Sequence, residues 1–304
     1  MMYISEQKLI WFGGMFYSIR ITASLLFIHK CLAGLILRIL KKDACIEGTA
    51  GNLRLLTKSV FGPTGTIIEI PKDKVIYDNF LREGFWALST SYFITKRLRK
   101  LKQPLIVDLG AHVGLVSLQS IKMNFDRGKV IAVEALPNHF ASLVRNIGSD
   151  RVTAFCGALV SDSCEQHIKM TVDQENYGNS SVFESFAPAD LARSYQIEVP
   201  IIPIDLVTKA INGSGFILKS DLQGYDAGVL ANFGDDFWRF CLGGVIEVNA
   251  HSEIKSVDIE TILGRFQNYR YLSWQPFNIG RISDKEIFDF WTARNNLERD
   301  VFFW

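Results

Sequence analysis

Apolar runs of strand length occur at residues 104–109, 129–135, 152–157, 215–221 and 243–249. Interleaved with them are stretches in which apolar positions return every three or four residues, at 113–123, 137–147, 204–211, 225–233 and 254–267. The short runs read as strands and the 3.6-residue rhythm as helices. Their alternation predicts a parallel sheet covered by helices on both faces, a doubly wound α/β fold. Two more strand-like segments, 270–277 and 296–304, follow with no helix expected between them. As a terminal hairpin they bring the mostly parallel sheet to seven strands and supply an antiparallel C-terminal strand.

Residues 158–203 break the alternation. They contain I-K-M-T-V and E-V-P-I-I-P and read as an inserted hairpin and loop. Loops held by a rigid scaffold commonly carry substrate specificity. Residues 51–103 read as a cap leading into the domain of residues 104–304. The cap comprises a Gly-bearing polar stretch, a strand pair around I-I-E-I from Ile67 and K-V-I-Y from Lys74, and a helix over 89–101.

Residues 1–50 have a different pattern. From 20 to 42 there is neither Pro nor acid, and on a helix Arg20, Lys30, Arg38, Lys41 and Lys42 gather on one side of an otherwise apolar surface. The segment predicts a basic amphipathic helical appendage. Its charges interrupt the apolar run, so it fits poorly as a signal peptide or as a membrane span of ~20 apolar residues. Packing on its own domain, contact with a second copy in a homo-oligomer, and peripheral membrane contact all stay open.

Composition sharpens this reading by exclusion. With 304 residues, 48% of them hydrophobic and 21% charged, the chain can bury a large core and is not disordered. Thirty-three Lys and Arg against 32 Asp and Glu leave no bulk field to attract nucleic acid. The charge is uneven, however: residues 1–50 carry six basic and three acidic side chains. Five scattered cysteines form no C-x-x-C pair, which suits a reducing cytoplasmic setting, membrane-associated if the appendage binds lipid. The five histidines show no metal-binding spacing, and no metal site is expected.

The candidate chemistry begins at residues 104–120, P-L-I-V-D-L-G-A-H-V-G-L-V-S-L-Q-S, where a strand runs through a glycine-rich turn into a helix. Gly110 and Gly114 can adopt positive φ and admit a ligand close to the backbone, and the helix start offers unpaired N–H groups. His112 stands where the dinucleotide pattern G-x-G-x-x-G has its middle glycine, which demotes NAD. Glu134, ending K-V-I-A-V-E, lies 24 positions beyond Gly110. There, βαβ nucleotide folds place an acid on ribose hydroxyls. A carboxylate can accept two charge-assisted bonds from them. Asp221 opens D-L-Q-G-Y-D after another strand and reads either as a group facing the ligand or as the N-cap of the next helix. Ligands bind beyond the carboxyl ends of such strands, so Asp108, Glu134, the block from Lys219 to Gln223, and Glu247, Asn249 and His251 should converge.

The motif D-L-G-A-H-V-G at 108–114, followed by V-E-A-L-P at 133–137, resembles class I S-adenosylmethionine-dependent methyltransferases. Within that superfamily, G-F-I-L-K-S-D-L-Q-G-Y-D-A-G-V-L at 215–230 is similar to the K-I-D-V-E-G-x-E-x-x-V-L block of the FkbM-type family. N-Y-G-N-S-S-V at 176–182 and G-V-I-E-V at 244–248 resemble its flanking segments, and the likeness covers about residues 75–304. The chain departs from the family pattern at His112, where the family has Asn, and at Gln223, where it has Glu.

The resemblance implies a Rossmann-like methyltransferase sheet and S-adenosyl-L-methionine as cofactor. It assigns Asp108, Gly110, His112 and Gly114 to the methionine side and Glu134 to the ribose. Asp221 becomes the general base or orienter for the acceptor, assisted by Lys219. From their place at the ligand-facing strand ends, Gln223, Glu247, Asn249 and His251 are read as substrate contacts, with ordinary loop polarity the alternative for the last three. The activity implied is O-methylation of a sugar, glycan or related small molecule. A weakly catalytic binding or membrane-adaptor protein, and a nucleotide-sugar or NAD enzyme on a similar fold, are the alternatives.

Overall fold

The computed structural model describes residues 45–49, 52–57, 66–71, 75–76, 79, 85–161, 165–174, 176–182, 194–249, 255–276, 278, 280–293 and 297–304. The chain divides into two compact units, Met1–Asp43 and Ala44–Trp304. The amphipathic helix expected over 20–42 lies outside the described residues, as does His251.

In the second unit a seven-stranded sheet forms the centre. Its strands are β4 (Leu105–Leu109), β5 (Lys129–Glu134), β6 (Val152–Cys156), β9 (Phe216–Ser220), β10 (Cys241–Asn249), β11 (Leu272–Ser273) and β12 (Glu298–Phe303), in the spatial order β11-β12-β10-β9-β4-β5-β6. The pairs within β10-β9-β4-β5-β6 are all parallel, and β12 runs antiparallel to both β10 and β11. The chain moves outward from β4 to β6 and then returns to place β9 on the other side of β4. That reversal between β4 and β9 is the switch point at which such sheets leave a crevice.

Every residue of β4 and β9 is buried, as expected for central parallel strands covered on both faces. Alternate side chains feed opposite cores. Leu105, Val107, Leu109 and Leu218 face helices α4 (Ile204–Ile211), α5 (Asp226–Asn232), α6 (Asp235–Phe240), α7 (Ser256–Phe266) and α8 (Asp284–Trp291). Ile106 and Ile217 face α1 (Leu88–Leu98), α2 (Leu115–Met123) and α3 (Pro137–Ile147). The expected insertion is a hairpin, β7 (His167–Asp173) antiparallel to β8 (Ser194–Pro200), packed on Leu136, Ala158 and Val160.

Two expectations require correction. A helix, α8, stands between the two C-terminal strand segments. Its start carries a capping box in which Ser283 and Glu286 bond each other's backbone N–H groups, a signal present in S-D-K-E. In the cap, I-I-E-I does form β3 (Thr66–Pro71), but its partner is β2 (Asn52–Thr57), itself paired with β1 (Cys45–Thr49). Val75 and Ile76 of K-V-I-Y are helical instead. A short β-branched run has no periodicity with which to distinguish these states.

Candidate active site

The carboxyl ends of β4, β5, β9 and β10 open onto a cavity of about 400 Å³. Gly110, at φ 72°, passes so close to β9 that a Cβ there would stand 1.9 Å from the Asp221 carbonyl oxygen. Only glycine fits both that contact and that backbone conformation. The turn is tied down by the N–H groups of Gly110 and Ala111, which both donate to the Val133 carbonyl at 3.0 Å.

Glu134 ends β5 on the cavity wall. One carboxylate oxygen accepts from the His112 N–H at 2.8 Å and the other from the Leu136 N–H at 2.9 Å. Burial lifts its pKa above the ordinary value, although the nearby His112 and Lys219 and the two backbone donors act in the opposite direction. Beside it the rings of His112 and His139 lie 4.0 Å apart, and Tyr177 meets His139 edge-on. Burial, together with His112, drives the His139 pKa down to about 2, so that imidazole is neutral.

Behind the glycine turn, Asp108 is fully buried and does not line the cavity. It accepts from the Ser117 hydroxyl at 2.6 Å and lies 3.4 Å from Lys219 Nζ. Adjacent parallel strands place Asp108 and Lys219 side by side in register. Lys219 donates to the Gly110 carbonyl at 2.5 Å and reaches Asp221 at 3.4 Å. Its burial favours the neutral amine, but Asp108, Asp221 and Glu247 outweigh that and hold it protonated, with the pKa above the usual lysine value. Gly114, at φ 78°, precedes α2 behind the wall.

At the ends of β9 and β10, Asp221, Gln223 and Glu247 line the cavity. The Gln223 amide donates to Asp221 at 2.7 Å and to Glu247 at 3.2 Å. Asn249, buried and off the cavity surface, adds a 3.0 Å bond to the same Glu247 oxygen. Asp221 is not the N-cap of α5: that helix starts at Asp226 after Tyr225 and has no side-chain cap bond. Asp226 orders the loop instead. One of its oxygens accepts from the Leu222 N–H at 2.9 Å and the other from the Ser220 hydroxyl at 2.5 Å.

Glu298 and Asp300, which also line the cavity, were not among the sequence candidates. The antiparallel register sets Glu247 opposite Asp300 and Asn249 opposite Glu298. Their two-residue spacing in E-R-D was the signal that both lie on one strand face. Trp86 and Thr90, from the segment leading into and beginning α1, line the cavity too. Among the described residues no three His, Cys, Asp or Glu side chains are grouped to hold a metal ion.

The family model for the methyltransferase FkbM domain matches residues 108–272, more than half of the chain. The chain belongs to this family. The methyltransferase uses S-adenosyl-L-methionine as its cofactor. The match begins at Asp108 and includes the glycine turn, Glu134 and the Lys219–Gln223 block. No curated protein matches the methyltransferase.

Among solved structures, it is similar to a TehB-like SAM-dependent methyltransferase from Corynebacterium glutamicum. The identity is 10%, with 75% of this chain and 92% of that one covered and a TM-score of 0.38. Aeropyrum pernix fibrillarin with natively bound S-adenosyl-L-methionine is similar at 11% identity, with 86% and 99% covered and a TM-score of 0.34.

Proposed function

We propose that this methyltransferase transfers the methyl group to a hydroxyl oxygen of a sugar, glycan or related small metabolite. The observation that carries the reading is a cavity lined both by a nucleoside-type acid, Glu134, at the end of β5 and by the hydrogen-bonding group Asp221, Gln223 and Glu247 at the ends of β9 and β10. A volume of about 400 Å³ falls in the range of small-molecule sites. Hydroxyl-rich acceptors donate hydrogen bonds, and carboxylates are acceptor-only groups when ionised.

The donor set suits the cofactor. Glu134 spends one lone pair of each oxygen on the backbone, and the remaining ones are available to ribose hydroxyls. Gly110 and His112 border the part of the cavity assigned to the methionine portion. Asp108 acts from behind by holding Lys219 and Ser117, and Gly114 precedes α2, whose Leu115 and Val116 line the cavity. When bound, the cofactor supplies an electrophilic methyl group on a sulfonium. Asp221 orients the acceptor hydroxyl and is itself held by Lys219 and Gln223. Proximity of the two reactants supplies much of the rate.

Calorimetric titration with S-adenosylhomocysteine tests the reading, with NAD as control. Binding in the micromolar range by the wild type, lost in an Asp108→Ala, Glu134→Ala double variant that remains folded, is the expected result. Binding of NAD in preference to S-adenosylhomocysteine would overturn it.

A further inference from the structure

Gln223 occupies a demanding position. Its φ is 50°, in the left-handed region that a non-glycine residue adopts at a cost. From there one amide nitrogen reaches two carboxylates, Asp221 Oδ1 at 2.7 Å and Glu247 Oε2 at 3.2 Å. The surroundings of the two acids differ. Asp221 has Lys219 Nζ 3.4 Å away, while Lys219 is shared with Asp108. Glu247 faces Asp300 across the β10–β12 register and feels the charges of Asp221, Asp226 and Glu298. Its two neutral donors, Gln223 and Asn249, both bond the same oxygen, Oε2.

We propose that Gln223 is a positioning residue: its amide clamps Asp221 and Glu247 into a carboxylate pair in which Asp221 stays ionised beside Lys219 and Glu247 takes the proton of the methyl acceptor. The last step rests on the methyl-transfer reading above. In it the acceptor oxygen bonds the methyl carbon as the carbon–sulfur bond breaks. That bond's electron pair stays on sulfur, and the hydroxyl proton passes to ionised Glu247. The charge environment is consistent with this division. Burial and the neighbouring carboxylates push Glu247 well above the ordinary glutamate value. Burial also opposes ionisation of Asp221, but Lys219, Glu247 and Gln223 together hold it below the ordinary aspartate value. Two groups whose environments separate them in this way can take distinct acid–base roles.

The test is an infrared titration of the protonated-carboxyl stretch in the full-length protein, with and without S-adenosylhomocysteine. Beside the other raised carboxyls, Asp226 among them, Glu247 should contribute one protonated component above the usual glutamate range, and Glu247→Gln should lose that component while the others remain. Gln223→Leu, which removes the shared donor, should move its midpoint up by about one pH unit. Gln223→Glu, which replaces the donor with a third carboxylate, should move it further in the same direction. A midpoint unchanged in both Gln223 variants, with thermal unfolding confirming the fold, would overturn the positioning role. If the Gln223 variants fail to fold, Glu247→Gln decides: a difference spectrum in which no component above the usual glutamate range is lost would overturn the proposal. Calorimetry separates the two readings. A wild type that fails to bind S-adenosylhomocysteine refutes methyl transfer, while the infrared result still decides the clamp.

Discussion

Asp226 shows at the residue scale how one buried acid sets a loop and a pH dependence together. Burial lifts its pKa from the ordinary aspartate value of 3.8 to about 7, with Asp221 adding to the rise, while the Ser220 hydroxyl and the Leu222 N–H oppose it. Between roughly pH 4 and 7 the native state therefore binds more protons than the unfolded chain, and stability falls as pH rises through that window. An asparagine can accept from the Leu222 N–H and donate to the Ser220 hydroxyl, reproducing the protonated acid. Asp226→Asn should flatten the dependence and raise stability at pH 8, as read by urea unfolding at pH 5 and 8; an unchanged pH slope would contradict it. Lys219→Met leaves Asp108 buried without its cation and should cost about 3–5 kcal/mol in the same assay. Gly110→Ala drives a Cβ toward the Asp221 carbonyl, which is anchored by the Asp221 N–H on Leu109 at 3.0 Å. It should weaken S-adenosylhomocysteine binding by about tenfold or more in calorimetry.

The secondary elements differ in how plainly the chain announces them. Central strands were legible because burial on both faces makes them nearly continuous apolar runs. Helix α8 was missed because its eight residues, D-K-E-I-F-D-F-W, place only Ile287 and Trp291 in full burial, too few to set up a visible period. Its capping box is the local signal that carries it. Ser283→Ala should cost about 1 kcal/mol in thermal unfolding and leave S-adenosylhomocysteine affinity unchanged, since no residue of α8 lines the cavity. The pairing of β3 with β2 was illegible for another reason: a strand's partner depends on which neighbour completes its hydrogen bonds, and alternation within one segment does not encode that.

At the scale of the whole molecule, each residue assigned to the cavity lies in the unit Ala44–Trp304. Deleting Met1–Asp43 should therefore leave affinity for S-adenosylhomocysteine unchanged, measured by calorimetry on the full chain and the truncated form. Liposome pelleting of the same pair tests peripheral membrane contact, which the basic appendage motivates and its loss should abolish. Among the described residues no helix is long and apolar enough to cross a membrane.

The sequence by itself determined the alternation of strands and helices, the antiparallel C-terminal strand, the glycine turn with its following acid, and the family block around Asp221. These are local properties: backbone freedom at glycine, apolar periodicity, and the order of residue types within a few turns. Tertiary structure alone decided that Asp108 lies behind the cavity holding Lys219, that Asp226 rather than Asp221 orders the loop, and that Asp300 comes to face Glu247 and Glu298 to face Asn249. Those facts depend on strand register and on which charges lose water together. Register joins residues 49 to 59 positions apart, and desolvation depends on all the elements around a group at once.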